Sequence, residues 1–413
     1  MRIGISADVA KGKSTICIMT ETGEILYGPV DVMHNREQLE ELSSRIKELQ
    51  AGNEVRVLIE ATGIYHLGIA SYLHEKGFFV TIENPLVLKK YKDSNNWRGV
   101  KTDNIDSVCY ATYVIEKWIN LREMTDDNPE RKKMKNLTRQ YLSYMKCHVR
   151  LLQNLDHIID QVMPGIKSEL DSHDPVTGKD PLCDFLEVFW HADQVKKMGL
   201  KRFEKRFLKM AKEKGYRPRN DRAGKLYSIA AEGIPTVEAD DFSRQMVQDA
   251  ISALRAVDSV LYRILTQLRE LAQQTPEYDV VREMGGVGET LAPLLIGEIG
   301  DPRRYYSGKA LVACAGIDVP PYESGQFKAS ERKITRKGSK YLRKIGYQVI
   351  RSIKTYSSDK DPAVHDFYQK LVSKGKNKKA ASVAAMNKFL TIYYARTMEV
   401  YAAMETEHPE VAS

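Results

Sequence analysis

Cysteine is scarce in this 413-residue chain. Cys17, Cys109, Cys147, Cys183 and Cys314 are scattered, odd in number and form no CxxC pair. That pattern supports neither a zinc site nor a disulfide framework, and a reducing cytoplasm is the expected compartment. The apolar runs fall well short of the roughly 20 residues that a membrane span needs. The opening MRIGISADVAKGKST has no apolar core behind a basic end, so no secretory signal is expected. Internal repeats and low-complexity tracts are missing as well.

What is present is a composition of 42% hydrophobic and 29% charged residues. It is the composition of a soluble chain with room for two or three domains. The net charge is +8, and its placement matters more than its size. Between Lys328 and Lys344, "KASERKITRKGSKYLRK", eight residues are basic and one is acidic. A local field of that sign suits a polyanion, most simply nucleic acid, although a solvated basic face has the same composition. A second basic loop, "KGKNKK", follows at Lys374–Lys379.

The first 120 residues alternate strand-like and helix-like segments. "RIGISADV", "STICIMT" and "EILYGPVDV" read as strands. Asn35 with Gln38 reads as a capping box opening a helix with Leu39, Leu42, Ile46 and Leu49 on one face. "EVRVLIE" is a fourth strand, a helix spans about 62–76, and "FFVTIE" is a fifth strand ended by Asn84-Pro85. A last helix starts within "KTDNIDS", with Ile105, Val108, Ile115 and Trp118 as its expected buried side. The order β-β-β-α-β-α-β-α implies a mixed α/β sheet.

The middle has a different periodicity. From Met134, Leu137, Tyr141, Tyr144, Leu151, Leu155, Ile158 and Val162 recur at steps of three and four, with His148 interrupting the seam. Val247, Ala250, Leu254, Val257, Leu261, Ile264, Leu268 and Leu271 repeat the pattern. Both are heptad seams, predicting two long helices paired with each other or with a second copy. A loop-rich, partly helical insert is expected at about 165–240. The last third opens with "GGVGETLAPLLIGEIGD", a glycine turn between helical segments. It is similar to helix-hairpin-helix elements, whose turn amides face DNA phosphates; an ordinary glycine turn reads the same. The division expected is 1–125, 126–280 and 281–405.

"GKST" at Gly12–Thr15 is not a phosphate loop, because Ala7 stands where the motif needs glycine and a strand follows where it needs a helix. Carboxylates are more informative. Asp8 lies late in the first strand, on one face with the small residues Gly4 and Ser6. Glu60 closes the fourth strand. Asp103 and Asp106 share one helix face and repel each other. Their residues alone leave two readings open: Asp103 at the N-cap with Asp106 at N3, or a metal site. Four acids from two strand ends and one helix of a single α/β domain are the layout of ribonuclease-H-like nucleases. In these, two Mg²⁺ ions about 4 Å apart clamp the attacking and leaving oxygens of phosphoryl transfer.

The combination "GISADVAKGKST", "VLIEATGIYH", "ENPLVLKKY" with "KTDNIDS", "GVGETLAPLLIGEIGD", "ALVACAGIDVPPYESG" and "ITRKGSKYLRK" resembles the DEDD-type transposases of the insertion-sequence one-hundred-and-ten family. The resemblance implies a resolvase-like (RuvC-like) catalytic domain with Asp8, Glu60, Asp103 and Asp106 as its acids and metal ligands. It implies Mg²⁺, with Mn²⁺ able to substitute. Ser324 in "PPYESG" falls on the family's serine nucleophile; read alone it is a turn serine. Double-stranded donor and target DNA and an element-encoded structured guide RNA are further implications, with action at the nucleoid and no membrane partner. A homodimer or homotetramer is expected through the coiled-coil helices, since exchange needs two duplexes held together. Lys328, Arg332, Lys333, Arg336, Lys337, Lys340 and Arg343 are the expected phosphate contacts. Ser107, Glu323 and a large insert depart from the family pattern.

The reading is therefore a DNA recombinase working through a phosphoserine intermediate. Its competitors are a metal-dependent, structure-specific endonuclease in which water attacks, and a non-catalytic nucleic-acid-binding assembly protein.

Overall fold

The structure, a computed structural model, describes residues 1–94, 102–124, 128–170, 179–217, 220–319, 323–324, 327–328, 333–356 and 361–407. The chain forms two compact units, Met1–Asp127 and Asn128–Ser413. Among the described residues, no helix is long and apolar enough to cross a membrane.

In the first unit the elements run β1 (Arg2–Ala10), β2 (Lys13–Thr20), β3 (Ile25–Met33), α1 (Arg36–Gln50), β4 (Glu54–Glu60), α2 (His66–Glu75), β5 (Val80–Glu83), α3 (Pro85–Ser94) and α4 (Asp103–Glu116). The sheet order is β3-β2-β1-β4-β5. The first three strands form an antiparallel meander, and β4 and β5 add parallel to β1. Helix α3 was not expected from the sequence. Its signal was Asn84-Pro85: the Asn84 side chain accepts from Leu86 N at 2.9 Å, and proline suits the first helical position because its missing N–H would be unpaired there. Asn35 does cap α1, accepting from Gln38 N at 2.9 Å. Gln38 departs from the box and takes Met33 N–H at 2.6 Å instead.

Strand alternation divides β1 between two layers. Ile3, Ile5, Ala7 and Val9 pack with Leu39, Leu42 and Ile46 of α1 and Ile69, Ala70 and Leu73 of α2. Gly4, Ser6 and Asp8 face the other way, towards α4. The small residues leave no void there, because the helix backbone fills the space. A Cβ on Gly4 would sit 3.1 Å from Ala111 O and 3.0 Å from Ile115 Cδ1. Ser6 Oγ donates to Ser107 O at 2.6 Å, and both residues are fully buried. Two strand residues rise about 6.6 Å and four helical residues about 6 Å. The pairs Gly4–Ala111 and Ser6–Ser107 therefore stay in step, and the next pair brings Asp8 to the first turn of α4. Replacing Gly4 by valine is expected to force α4 outward and to lower stability by about 1–3 kcal/mol, read by urea denaturation. Alanine should cost less, and an unchanged midpoint for valine would show that α4 is not held by this contact.

Helix α4 is buried more broadly than its expected face. Asp106, Ser107, Cys109, Tyr110, Ala111, Tyr113 and Val114 are buried, Trp118 just beyond it is buried too, and Ile105, Val108 and Ile115 are half-buried.

Among the described residues, the regular elements of the second unit are helical apart from the two-residue strands β6 (Glu323–Ser324) and β7 (Phe327–Lys328). It contains α5 (Pro129–Val162), α6 (Lys167–Leu170), α7 (Pro181–Val188), α8 (Ala192–Met198), α9 (Leu200–Glu213), α10 (Asn220–Glu232), α11 (Asp241–Gln273), α12 (Tyr278–Glu283), α13 (Gly288–Ile299), α14 (Gly308–Ala315), α15 (Lys340–Thr355), α16 (Ala363–Ser373) and α17 (Lys378–Glu407). The two heptad seams meet each other within the chain. Leu155, Ile158, Ile159 and Val162 of α5 share a core with Val247, Ala250, Ile251 and Leu254 of α11. Met134 and Leu142 share another with Leu268 and Ala272, so the helices run antiparallel. His148, the break in the seam, meets Asp258 across it at 2.5 Å.

The insert is more ordered than a loop-rich segment. Helices α6–α10 build an aromatic core in which the rings of Phe189 and Phe203 lie 4.8 Å apart and those of Phe185 and Phe189 5.0 Å apart. The helical middle and the C-terminal third share one hydrophobic core.

Candidate active site

Parallel pairing places the carboxyl ends of β1 and β4 side by side. Their register runs to Ala7↔Ile59, which brings the next residues, Asp8 and Glu60, together at the sheet's end. A side-chain hydrogen bond links the two, and the charges of Glu60, Asp103 and Asp106 all act on Asp8. Burial, then these three neighbours, raise the Asp8 carboxyl to about 8. The structure thus gathers Asp8, Glu60, Asp103 and Asp106 at one end of the sheet. Tyr110, one turn beyond Asp106, is buried against the same group. Its phenol is pushed up first by burial and then by Glu60, Asp8 and Asp106.

The helix start differs from the expected cap. Thr102 is the N-cap, its side chain accepting from Ile105 N at 3.3 Å. Asp103 is then the first helical residue and Asp106 the fourth, so neither carboxylate is committed to capping. Asp103 is exposed and Asp106 is buried. Ser107, a departure from the family pattern, makes two bonds. Its carbonyl accepts from Ser6, and its hydroxyl donates to Asn104 O at 2.9 Å.

Three neighbours were not identified from the sequence. Thr62 Oγ1 donates to Glu60 Oε2 at 3.2 Å, which orients the strand-end acid. Glu83 pairs with Glu60 across β4 and β5 and accepts from Tyr113 OH at 3.2 Å. Lys92, on the unexpected α3, forms an ion pair with Asp106. The residues before Asn84-Pro85 read as a strand end, so only recognition of α3 could have turned Lys92 towards α4.

Among the described residues, no group of three or more His, Cys, Asp or Glu side chains is arranged to hold a metal ion as it stands. The donor chemistry nonetheless fits a divalent cation. All four donors are carboxylates, the set that Mg²⁺ prefers, and Asp8 is raised first by burial and then by the negative charges of its neighbours, a setting that a cation would relieve.

In the second unit, Ser324 pairs with Phe327, and Glu323 with Lys328. Arg332 lies outside the described residues, and the side chains of Ser324 and Lys328 are likewise outside them. Lys333, Arg336, Lys337 and Lys340 are exposed. The loop carrying them is laid along the end of α14: Thr335 N donates to Asp318 O at 3.1 Å, Arg336 N to Gly316 O at 3.0 Å and Ser339 N to Cys314 O at 2.7 Å. A Cβ on Gly338 would sit 2.1 Å from Cys314 O, so only glycine fits. Arg336 has φ 55°, a backbone region that bulky residues seldom enter. Arg343 is spent internally, donating to Ala315 O at 2.9 Å and Gly338 O at 3.0 Å. Ser339 caps α15 and its hydroxyl reaches Glu298 Oε1 at 2.7 Å. The buried Glu298 also takes two bonds of 3.1 Å from Arg139.

The glycine turn at 284–287 between α12 and α13 packs inward. A Cβ on Gly286 would lie 2.4 Å from Ile353 Cγ1, and Gly285 N–H is turned towards Asp361 Oδ2 at 3.5 Å.

A family model described as a transposase matches residues 4–164. A second, described as the transposase IS116/IS110/IS902 family, matches residues 278–369. Together they cover more than half of the chain and include both the four acids and Ser324. The chain belongs to the IS110 family of transposases. Within this IS110-family chain, α6–α11 fall outside the two matched spans. The pilin gene-inverting proteins of Moraxella bovis and Moraxella lacunata are each 33% identical to it over 135 residues. That stretch covers 31% of the chain and 40% of each relative, so the chain spans well under two thirds of the curated relatives it matches.

Proposed function

We propose that this protein is a DNA recombinase of an insertion sequence, cutting and rejoining strands through a covalent seryl intermediate. The observation that carries the reading is the convergence of Asp8, Glu60, Asp103 and Asp106 at the ends of β1 and β4 and the start of α4. The sheet order, a meander followed by two parallel strands with α4 across one face, supports a ribonuclease-H-like (RuvC-like) assignment of the first unit. The description of the Moraxella relatives as gene-inverting proteins supports recombination over simple hydrolysis.

Asp8, Glu60, Asp103 and Asp106 would hold Mg²⁺ or Mn²⁺, which when bound would stabilise charge developing on the scissile phosphate. Thr62 keeps the Glu60 carboxylate turned into the site. The Ser324 oxygen loses its proton as it bonds to phosphorus, and the departing sugar oxygen takes up a proton. One phosphoester bond replaces another, so a hydroxyl of a second strand can reverse the exchange without an external energy source. Lys333, Arg336, Lys337 and Lys340 would meet phosphates, while Arg343 serves the loop's own backbone. Donor and target duplexes must be held together, so the active form is a homodimer or homotetramer. The α5–α11 seam is occupied within one chain, and assembly therefore uses other surfaces. A structured guide RNA would supply sequence choice by base pairing, leaving the protein to read backbone and shape.

The test incubates protein, candidate RNA, DNA and Mg²⁺ and looks for a denaturant-resistant protein–DNA adduct. Wild type should form it; Ser324→Ala and Asp8→Asn should lose it by a hundredfold or more, on the scale of removing a catalytic group. Cleavage without adduct, untouched by Ser324→Ala, points to the endonuclease. Absence of cleavage under every condition favours the binding protein.

A further inference from the structure

The ion pair between Lys92 and Asp106 sets a cation within the carboxylate cluster. Lys92 lies in the last turns of α3, directly after β5, and its ammonium is bonded to an Asp106 carboxylate oxygen. The pair is shielded, with only 16% of the Lys92 side chain and 11% of the Asp106 side chain exposed. Among the described residues, no other cation is bonded to any of the four acids: Lys13, whose field reaches Asp103, is tied to Asp31 at 2.5 Å. Among the described residues, then, one protein cation is bonded into the carboxylate cluster, and it occupies an acid expected to ligate metal.

We propose that Lys92 is the resident counter-ion of this cluster and competes with a divalent cation for Asp106. The inference rests on the metal-binding reading given above. Two carboxylates a turn apart on α4, facing Asp8 and Glu60, repel one another unless a cation lies among them. A lysine suits a displaceable role, since its ammonium is a compact charge on a flexible four-carbon stem. While Lys92 holds Asp106, the start of α4 keeps its place against β1 without a metal. When the cation arrives, the Asp106 oxygen turns to it and the ammonium is released. Free energy spent on separating the pair weakens metal binding, and by linkage bound metal weakens the grip of Lys92 on Asp106 by the same factor.

The test measures Mn²⁺ binding to the full chain, by isothermal calorimetry and by the loss of free-Mn²⁺ electron-spin signal, with no DNA present. Lys92→Gln is expected to bind Mn²⁺ about tenfold more tightly than wild type, within the ordinary range of coupling between linked sites. Its thermal midpoint should be lower than wild type without metal and should rise further on adding Mn²⁺. A merely structural lysine would lower the midpoint and leave Mn²⁺ affinity alone. Equal or weaker Mn²⁺ binding by Lys92→Gln overturns the proposal. Lys92→Arg, which keeps the charge and so guards against a variant that fails to fold, should bind Mn²⁺ no more tightly than wild type; tighter binding overturns the proposal equally. The parent reading has its own control. If Asp8→Asn and Asp106→Asn bind Mn²⁺ as wild type does, the metal site itself is refuted. If they weaken it and Lys92→Gln does not strengthen it, only the counter-ion role is lost.

Discussion

Asp106→Asn should leave the fold standing and reduce strand cleavage by about a thousandfold, the scale of removing one preorganised charged contact. The side chain keeps its shape, and its remaining carbonyl oxygen can still accept from Lys92. The helix start does not depend on it, because Thr102 supplies the cap. Removing one negative charge also relieves the crowding that acts on Asp8. These terms offset the loss of the ion pair, so metal-free stability should move by no more than about 1 kcal/mol, the scale of one net hydrogen bond. Thermal melts and gel-resolved cleavage of DNA on the same preparation decide the matter. A large drop in stability with cleavage retained would give Asp106 a structural role and remove it from the chemistry.

The second large effect is expected at a residue with no part in the proposed chemistry. Glu277, fully buried, receives Arg131 Nη2 at 2.9 Å and Tyr401 OH at 2.8 Å, and Arg131 Nη2 also donates to Tyr401 OH at 2.8 Å. The triad ties the first turn of α5 to the start of α12 and to α17. Glu277→Ala leaves a guanidinium buried without its partner, and breaking a buried pair in this way costs about 3–5 kcal/mol. For a unit of this size the melting temperature should fall by roughly 10 °C. The double variant Arg131→Met, Glu277→Leu should recover most of the loss, because the uncompensated charge is then gone. Failure of the double variant to recover would mean that the triad contributes specific packing beyond charge neutralisation.

Much of the site was legible from local pattern. Alternation along β1 put Gly4, Ser6 and Asp8 on one face, and the apolar run ending in Glu60 marked a strand end. Both depend only on the two-residue period of an extended chain, which is a local property. The long helices were legible for a similar reason, since a seam repeats over many turns. Single-turn features were less so. Thr102 and Asp103 are both good N-caps, and one backbone hydrogen bond separates the two registers. Helix α3 was hidden because Asn84-Pro85 serves equally to end a strand or to begin a helix. The insert looked loop-rich because its helices are short and its aromatic core is assembled from Phe185 of α7, Phe189 just beyond it, and Phe203 and Phe207 of α9.

The sequence by itself determined which residue types could do chemistry, the five strands of the first unit and the two long seam helices, and that the chain carries the motifs of a transposase family. Only the tertiary structure decided that β4 adds parallel to β1 in a register setting Glu60 beside Asp8. It also decided that α4 descends along Gly4 and Ser6 to bring Asp103 and Asp106 to the same end, and that Lys92 fills part of the charge deficit there. It turned the two heptad seams towards each other within one chain. Each of these is a long-range pairing, selected by how whole faces fit and how buried charges are compensated, and no local pattern in the chain records that choice.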